Sequence, residues 1–482
     1  MRLLLPITAT TVTSLLFVAS AIGCGGSAPN AGGSEDSGTI SVQEGGGGLQ
    51  DSGVAHPGPE ASTGSDGGAS PESGTVLACS LPDAGFPAGY PAAHAPLPTV
   101  TYQGAGILAQ PEVVTVTFPS DALATQLDQF GDDVLQTCWW NAARQGYCSG
   151  AGGAAPCVGM GVTPAMSHVQ LTTPAAASYT DTQQPNGAST LQDFVKAQVA
   201  SGAFPAPTAG TIYAMYFPAG TTISLDGQTS CNAFGGYHMS TQVTPPGGTP
   251  TTAAYAVIPE CGAMGFASSF AELTFSASHE ISEAVTDPFP QGSSAGFYLD
   301  FSNNDNVAWN LIGGGEVGDL CVDLVGESQH TPHDQFTAVG AHGSYTVQRI
   351  WSVAAAAAGG DPCVPIGADD SPYFNVALAQ GAGLQHLAVG KSVTIAAGAF
   401  STGPLTSWAV QGIDMASLQG QAAVVSVTLD KSTVTNGDTA MVTLTLNSAP
   451  PALSQGINGA VYVLVSQSGT TSHLWPGLVV SP

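Results

Sequence analysis

The hydrophobic pattern of this chain changes once, shortly after Cys363. Before that point, β-branched runs alternate with stretches whose apolar residues recur at helical spacing. From about residue 370 to 482 that spacing is absent, and short alternating strands replace it, most clearly in "AVVSVTLDKSTVTNGDTAMVTLTLN" with its "NGD" turn. We therefore predict an α+β fold in two parts: a mixed α/β domain over residues 79–367, then an all-β, immunoglobulin-like sandwich over residues 368–482.

The N-terminal residues 1–23 are typical of a secretory signal, with an apolar run from Leu3 to about Ile22 after a basic residue. The letters "AIGC" resemble a bacterial lipobox and predict a lipid on Cys24, although the usual box has leucine at the position of Ala21. An ordinary signal peptide followed by a stray cysteine is the alternative. We expect an exported protein, lipid-anchored at the bacterial cell envelope or surface or released from it, whose only membrane contact is that lipid.

Residues 24–78 are rich in Gly, Ser, Pro, Asp and Glu. They contain few large apolar side chains and cannot bury a hydrophobic core. We interpret them as a disordered tether that holds the folded part away from the membrane, in preference to a degenerate domain.

The charge balance excludes one class of partner. The chain has 6 Lys plus Arg against 34 Asp plus Glu, a formal net charge of −28. A surface of this sign repels phosphate backbones and anionic lipid head groups, so we predict no nucleic-acid partner.

Eight cysteines follow Cys24, and an even number in an exported chain predicts disulfides. No CxxC pair occurs, which argues against a cysteine-type zinc site. Sequence alone does not fix the connectivity. Nearest-neighbour pairing would join Cys231 to Cys261 and Cys321 to Cys363.

The elements predicted before Cys363 alternate between strands and helices. We expect strands at "EVVTVTF" (112–118), "TIYAMYF" (211–217) and "AAYAVIP" (253–259), and helices at residues 121–146, at "STLQDFVKAQVASG" and from about Ser268 to Thr286. Ser189 and Gln192 form a candidate capping box for the second helix, which Gly202 would end. Zincin-type peptidases share this order, with an edge-like strand shortly before the third helix, and so do other α+β folds. We predict a zincin-like domain.

The third predicted helix carries "SASHEISEAVTDP". Phe270, Leu273, Ala277, Ile281 and Ala284 fall on one stripe of this helix, and we expect that stripe to face the core. His279 and Glu283 lie together on the opposite side, because residues four apart are neighbours on a helix. An imidazole and a carboxylate placed in this way can bind one Zn²⁺, and Glu280 could act as general base on a metal-activated water. The alternative is a helix face that is merely polar.

A catalytic zinc site needs a third protein ligand. Glu316 and Asp319 in "GGGEVGDLC" are candidates, and His238 in "FGGYH" is another. Zinc is the expected cofactor, although a carboxylate-rich site accepts other divalent ions. The oxygen-rich loop "DFSNNDN" (300–306) is either a Ca²⁺ site or an ordinary polar turn.

Separated motifs resemble one family. They are "FGGYH", "AYAVIPEC", "SHEISEAVTDP", "GEVGDLC" and "YTVQRIWS", all within residues 110–365. Their order and content are similar to bacterial exported relatives of the plant EXORDIUM, or phosphate-induced, family. This resemblance implies a secreted or surface protein with a zincin-like SHExxEAxTDP motif. It would assign metal binding to His279 and Glu283, the base role to Glu280, and ligand or supporting roles to Glu316 and Asp319.

The chain also departs from that family pattern. The insert between Asp287 and Glu316 is longer and bears glycines, and "FGGYH" lacks a cysteine often found in that segment. Both departures lie in or next to the segments that would supply the third metal ligand. The plant members are associated with growth at the cell wall and do not keep the HE pair.

Two functions follow from these expectations. The first is a surface-tethered, metal-dependent hydrolase, a zincin-type metallopeptidase acting on peptides with metal-activated water. The second is a non-catalytic surface protein that binds cell-surface or wall polymer, with a structural metal or none.

Overall fold

The structure is a computed structural model that describes residues 85–184, 187–291, 295–312, 314–322, 334–366, 372–418, 420–453 and 458–481. The predicted signal peptide and tether, Cys24, Cys79 and the boundary at residues 367–368 lie outside these ranges. No helix of the described residues is long and apolar enough to cross a membrane.

The part of the chain before residue 367 mixes strands and helices. Its strands are β1 Val100–Tyr102, β2 Glu112–Thr117, β3 His168–Gln170, β4 Ser178–Asp181, β5 Thr211–Phe217, β6 Thr222–Leu225, β7 Gln228–Thr229, β8 Tyr237–Val243, β9 Thr251–Pro259, β10 Phe297–Leu299, β11 Gln335–Val339, β12 Ser344–Gln348, β13 Ile350–Trp351 and β14 Cys363–Val364. Its helices are α1 Ala124–Asp133, α2 Cys138–Ala143, α3 Thr190–Ser201, α4 Ser269–Thr286, α5 Val307–Ile312 and α6 Val353–Ala357. Short 3-10 turns cover Val134–Gln136, Ala151–Gly153, Asn304–Asn306 and Asp319–Cys321.

A five-stranded sheet of order β3-β2-β5-β9-β8 is the centre of this part. The first four strands are parallel, and β8 lies antiparallel to β9 at the edge. Side chains alternate between the two faces of a strand. Ile212, Ala214 and Tyr216 of β5 therefore join the core that α1, α2 and α4 cover, while Tyr213 and Met215 join the core that α3 covers.

Most predicted helices and strands are present, but residues 121–146 do not form one helix. The structure has α1, a 3-10 turn and α2 in this range. Thr137 is the reason, because it is extended (ψ 163°), accepts a hydrogen bond from Trp140 N and donates one to Val134 O. Local side-chain hydrogen bonds of this kind compete with continuous helix.

The predicted caps of α3 are confirmed in part. Ser189 Oγ accepts from Gln192 N at 2.9 Å, and Gly202 ends the helix with φ 79°. The Gln192 side chain instead donates to Asp181 Oδ1 at 3.1 Å, so the reciprocal half of the predicted capping box is replaced by a contact with β4.

The C-terminal part consists mainly of strands. They are β15 Phe374–Leu378, β16 Leu384–His386, β17 Ser392–Ser401, β18 Trp408–Asp414, β19 Val425–Leu429, β20 Thr433–Val434, β21 Thr439–Leu446, β22 Gly459–Ser468 and β23 Thr471–Val480, with α7 at Met415–Leu418. They form a four-stranded sheet, β15-β17-β21-β19, and a five-stranded sheet, β16-β23-β22-β18-β20. None of the sheets in the described ranges combines strands from both parts of the chain.

The predicted disulfides Cys231–Cys261 and Cys321–Cys363 are confirmed. A further disulfide joins Cys148 to Cys157, and Cys138 is also disulfide-bonded. The Cys231–Cys261 bond closes the segment that contains β8 and β9. The Cys321–Cys363 bond ties the "GDLC" turn to β14. Two of the cross-links therefore lie next to the elements that carry the predicted ligands.

Candidate metal centre

Helix α4 places the motif side chains inside the protein. Ser268 caps its N-terminus by accepting from Ala271 N at 3.1 Å, and its predicted apolar stripe packs on the sheet. The opposite face is buried as well, because β8 and the loop before the Asp319–Cys321 turn cover it. His279 is 5% exposed, Glu280 2% and Glu283 0%. The polar face of this helix is therefore not a solvated surface.

A first cluster consists of His279, Glu283 and Asp319, and we call it the α4 triad. His279 Nε2 lies 3.2 Å from Glu283 Oε1 and 3.8 Å from Asp319 Oδ1. Backbone N–H groups of Gly318 and Asp319 donate to Glu283 Oε1 at 3.1 and 3.3 Å. These two contacts hold the carboxylate against the turn.

Gln348, at the end of β12, holds the Nδ1 atom of His279. Gln348 Nε2 donates to Gly318 O at 2.7 Å, which turns its Oε1 toward His279 Nδ1, also at 2.7 Å. An amide oxygen only accepts, so Nδ1 carries a proton, and Nε2 faces the carboxylates. Metal-bound histidines are oriented in this way by a second partner.

A second cluster shares Glu283 and adds His238 of β8 and Glu280; we call it the β8 triad. His238 Nδ1 lies 3.5 Å from Glu283 Oε2 and 3.7 Å from Glu280 Oε2. Its other nitrogen, Nε2, lies 3.0 Å from the carbonyl oxygen of Asp287. Since a carbonyl only accepts, Nε2 donates, and Nδ1 faces the two carboxylates.

Glu316 belongs to neither triad, although it lies beside them. Its Oε1 is 3.6 Å from His238 Nε2, and its side chain is 1% exposed. Within the described residues, neither carboxylate oxygen of Asp319 and neither of Glu316 makes a hydrogen bond of acceptable geometry. Buried carboxylate oxygens are normally paired, so oxygens like these suit a cation better than an apolar core.

The electrostatics of the cluster agree with this view. Burial lowers the pKa of His279, but the carboxylates of Glu283 and Glu280 raise it more, to about 10. Burial raises the pKa of Glu283, but the two imidazoles lower it further, to about 2. Burial and neighbouring carboxylates raise the pKa of Asp319 and of Glu316 well above the usual range. The carboxyl groups therefore compete for the positive charge available, which a divalent cation would increase.

Gly318 allows the turn to approach the helix closely. A Cβ added there would lie 2.7 Å from His279 Cε1 and Nδ1 and 2.8 Å from Glu283 Oε1. Real Cβ atoms essentially never come so close, so a side chain would push the turn away from α4. Gly318 thus permits the close approach of this turn to α4.

All five residues predicted for the site lie together, and His238, the other candidate, lies with them. Sequence reasoning missed Gln348 as a supporting residue, although "YTVQ" was one of the motifs that carried the family resemblance. Asp287 contributes two contacts next to the cluster: its carbonyl accepts from His238, and its carboxylate accepts from Gly296 N at 2.9 Å.

The "DFSNNDN" loop uses its oxygen atoms for local hydrogen bonds. Asp300 Oδ1 accepts from Ser302 N, and Asn303 Oδ1 accepts from Asp305 N. The Asp305 carboxylate accepts from Gly381 N and Gly383 N, each at 2.7 Å, and so joins the two parts of the chain. The structure thus has a polar turn here, and calcium at this loop stays a prediction.

A cavity of about 100 Å³ lies beside the α4 triad, between the α/β part and the sandwich. Asp319 belongs to the triad and also lines this cavity. Other lining residues include Trp309, Arg349, Trp351 and His473.

Comparisons with known proteins give little. No family model matches the chain, and no curated protein matches it. Among solved structures, a chimeric titin Z1Z2 carrying a KLER peptide from decorin and the titin M3 domain match at 16% and 11% identity. Each covers 23% of this chain and 95% of its own, with a TM-score of 0.15. A chimeric titin Z1Z2-Z1Z2 tandem carrying a GRGDS peptide from fibronectin matches at 14% identity over 30% of this chain and 62% of its own, with a TM-score of 0.16. Structural similarity at these TM-scores is too low to support a conclusion about the fold or the function of this chain.

Proposed function

We propose that this protein is a metal-dependent hydrolase of zincin type that acts on peptides at the cell surface. One observation carries the proposal. Two buried imidazoles each have one nitrogen fixed by a hydrogen bond and the other facing carboxylate oxygens at 3.2–3.8 Å. Two ligands about 2.0–2.1 Å from a tetrahedral zinc ion lie about 3.3 Å apart. Separations of this size support the proposal of a shared metal ion.

The order of elements supports the zincin type. A mixed sheet with an antiparallel edge strand, β8, precedes the helix that carries the HE pair, although the strand directly before that helix, β9, is internal and not the edge strand that the sequence predicted. In the proposed enzyme, His279, Glu283 and Asp319 would hold the cation. Glu316 would be a supporting carboxylate beside them, and Gln348 would set the orientation of His279.

A bound divalent cation would act there as a Lewis acid toward a peptide carbonyl and would lower the pKa of a nearby water. Glu280 would accept a proton from that water while the water oxygen attacks the carbonyl carbon. When the C–N bond breaks, Glu280 would pass the proton to the leaving amine nitrogen. The burial of Glu280 strengthens its interaction with neighbouring charges, because little water screens them.

The environment of the enzyme follows from the sequence. We infer export and a lipid on Cys24, so that the substrate is a peptide or a cell-surface polymer. The acidic surface disfavours acidic substrates and nucleic acids.

One observation favours a second function, a non-catalytic surface protein with a structural metal. All six side chains of the two triads and Glu316 are at most 5% exposed. Structural metal sites are closed, whereas catalytic sites keep an open position. Binding to cell-surface polymer would then belong to another part of the protein.

The experiment that separates these functions compares Glu280→Gln with the parent protein. We expect the variant to keep the fold and the ion of the α4 triad and to lose turnover of a peptide library by at least about 100-fold. Glu272→Gln, which changes another buried carboxyl of α4, is the matched control and should cleave like the parent. Equal activity of Glu280→Gln and parent would contradict the mechanism. Metal in the parent without any turnover would favour the second function.

A further inference from the structure

We propose that the centre binds two divalent cations, bridged by Glu283, with the second ion at the β8 triad. This inference rests on the metal-binding part of the proposed function. The two oxygens of Glu283 face different imidazoles: Oε1 lies 3.2 Å from His279 Nε2, and Oε2 lies 3.5 Å from His238 Nδ1. Neither group of potential ligands in the described residues includes both histidines. One ion therefore does not explain both.

The orientation of His238 is the first argument for a second ion. Its Nε2–H donates to the Asp287 carbonyl, so its Nδ1 faces the carboxylates of Glu280 and Glu283. As a neutral ligand, His238 would offer Nδ1 to a cation held between the ring and these two carboxylates. Nδ1 is buried and makes no hydrogen bond of acceptable geometry with the described residues.

The distances at this position fit two ligands of one ion. A charge-assisted hydrogen bond from an imidazolium to a carboxylate would be about 2.7–2.9 Å long. The observed separations of 3.5 and 3.7 Å are longer and match the spacing of two ligands around one ion.

The charge count is the third argument. Four carboxylates, those of Glu280, Glu283, Glu316 and Asp319, lie around two imidazoles in a site that excludes water. If both imidazoles are neutral ligands and all four carboxyl groups are ionised, one divalent cation balances half of this charge and two balance all of it. Uncompensated charge is costly in a buried site. Carboxylate-bridged pairs of ions about 3.5–4 Å apart are an established arrangement in hydrolases.

The second ion would give His238 the same role as His279, although it comes from a strand and not from the motif helix. It would also contact Glu280, the residue to which we assign proton transfer. Metal counting, and not turnover, is therefore the readout that isolates this inference.

The test is metal content of the intact exported chain after equilibrium dialysis against Zn²⁺, measured by mass spectrometry. We expect two ions per chain in the parent and one in His238→Ala. His168→Ala is the matched control, because His168 is a surface histidine beside Asp128 and Asp132, at 3.9 and 3.0 Å. This control should keep two ions, which would exclude binding at that surface group.

The outcomes separate this inference from the proposed function. One ion in the parent, retained in His238→Ala, would overturn the second site and leave the metal-dependent function standing. No bound metal in the parent would overturn both. Because His238→Ala could fail to fold, the parent is also loaded with Mn²⁺ and studied by electron paramagnetic resonance. A bridged pair gives an exchange-coupled spectrum, and the spectrum of isolated Mn²⁺ at saturation would refute the bridge.

Discussion

Gln348 should control metal affinity without touching the metal. Its side chain accepts from His279 Nδ1–H and donates to Gly318 O, both at 2.7 Å, and it is fully buried. Gln348→Leu removes both contacts and leaves a buried N–H and a buried carbonyl unpaired. Loss of such a partner of a metal-bound histidine typically costs about 10–100-fold in affinity, or about 1.4–2.7 kcal/mol.

The same substitution should also destabilise the metal-free protein. Each unpaired buried group costs about 1–3 kcal/mol, so the two effects must be measured separately. Zinc affinity would be measured by competition with a chromophoric chelator, and stability by denaturant unfolding in excess chelator. Gln348→Glu restores the acceptor for Nδ1–H and should recover most of the affinity. Gln242→Leu, an exposed glutamine of β8, is the control.

One result would refute this reasoning. If Gln348→Leu lost stability as expected but bound zinc within twofold of the parent, His279 would not be a ligand through Nε2. A fall in affinity that Gln348→Glu did not reverse would also contradict the orienting role, since it would indicate a packing defect.

Three further predictions follow from the structure. Gly318→Ala should weaken zinc binding at least tenfold in the same competition assay, because its Cβ would overlap the α4 histidine, whereas Gly343→Ala, with no atom nearer than 4.0 Å, should bind like the parent. Burial raises the pKa of Glu272 to about 8. The contribution of its protonated carboxyl to the free energy of unfolding is therefore complete below about pH 4.5 and is lost as pH rises to 8. The free energy of unfolding of Glu272→Gln relative to the parent should therefore increase over that range, by up to about 1.4 kcal/mol per pH unit in denaturant titrations, and a flat difference would contradict the assignment. Replacing both Cys231 and Cys261 by serine should lower the free energy of unfolding by about 3–4 kcal/mol, from the entropy of a loop with a sequence separation of 30, and a loss below 1 kcal/mol would count against the bond.

The parts of the fold that depend on local sequence could be predicted. The motif helix begins after a serine cap and ends before Pro288, and its spacing alone places His279 beside Glu283. The strand at "EVVTVTF" is present as β2. These features depend on contacts within about four residues, which the sequence displays directly.

Long-range contacts could not be predicted in the same way. His238 reaches Glu283 only because β8 reverses direction and pairs with β9 next to α4, and Gln348 reaches His279 across 69 positions. The sequence predicted Glu280 as a base and not as a ligand, yet it shares a cluster with His238. The break at Thr137 also depends on side-chain hydrogen bonds that apolar periodicity does not record.

The Cys321–Cys363 disulfide has a consequence for the order in which the protein assembles. Asp319 precedes Cys321 by two residues, and Gln348 precedes the strand that pairs with Cys363. Asp319, a proposed ligand, and Gln348, which we propose to orient His279, thus both lie close to one covalent bond, of a kind that persists in oxidising compartments. Without that bond the chain would hold these residues loosely and, on the proposed function, would bind metal poorly. If the chain is exported as proposed, metal uptake would then follow oxidation.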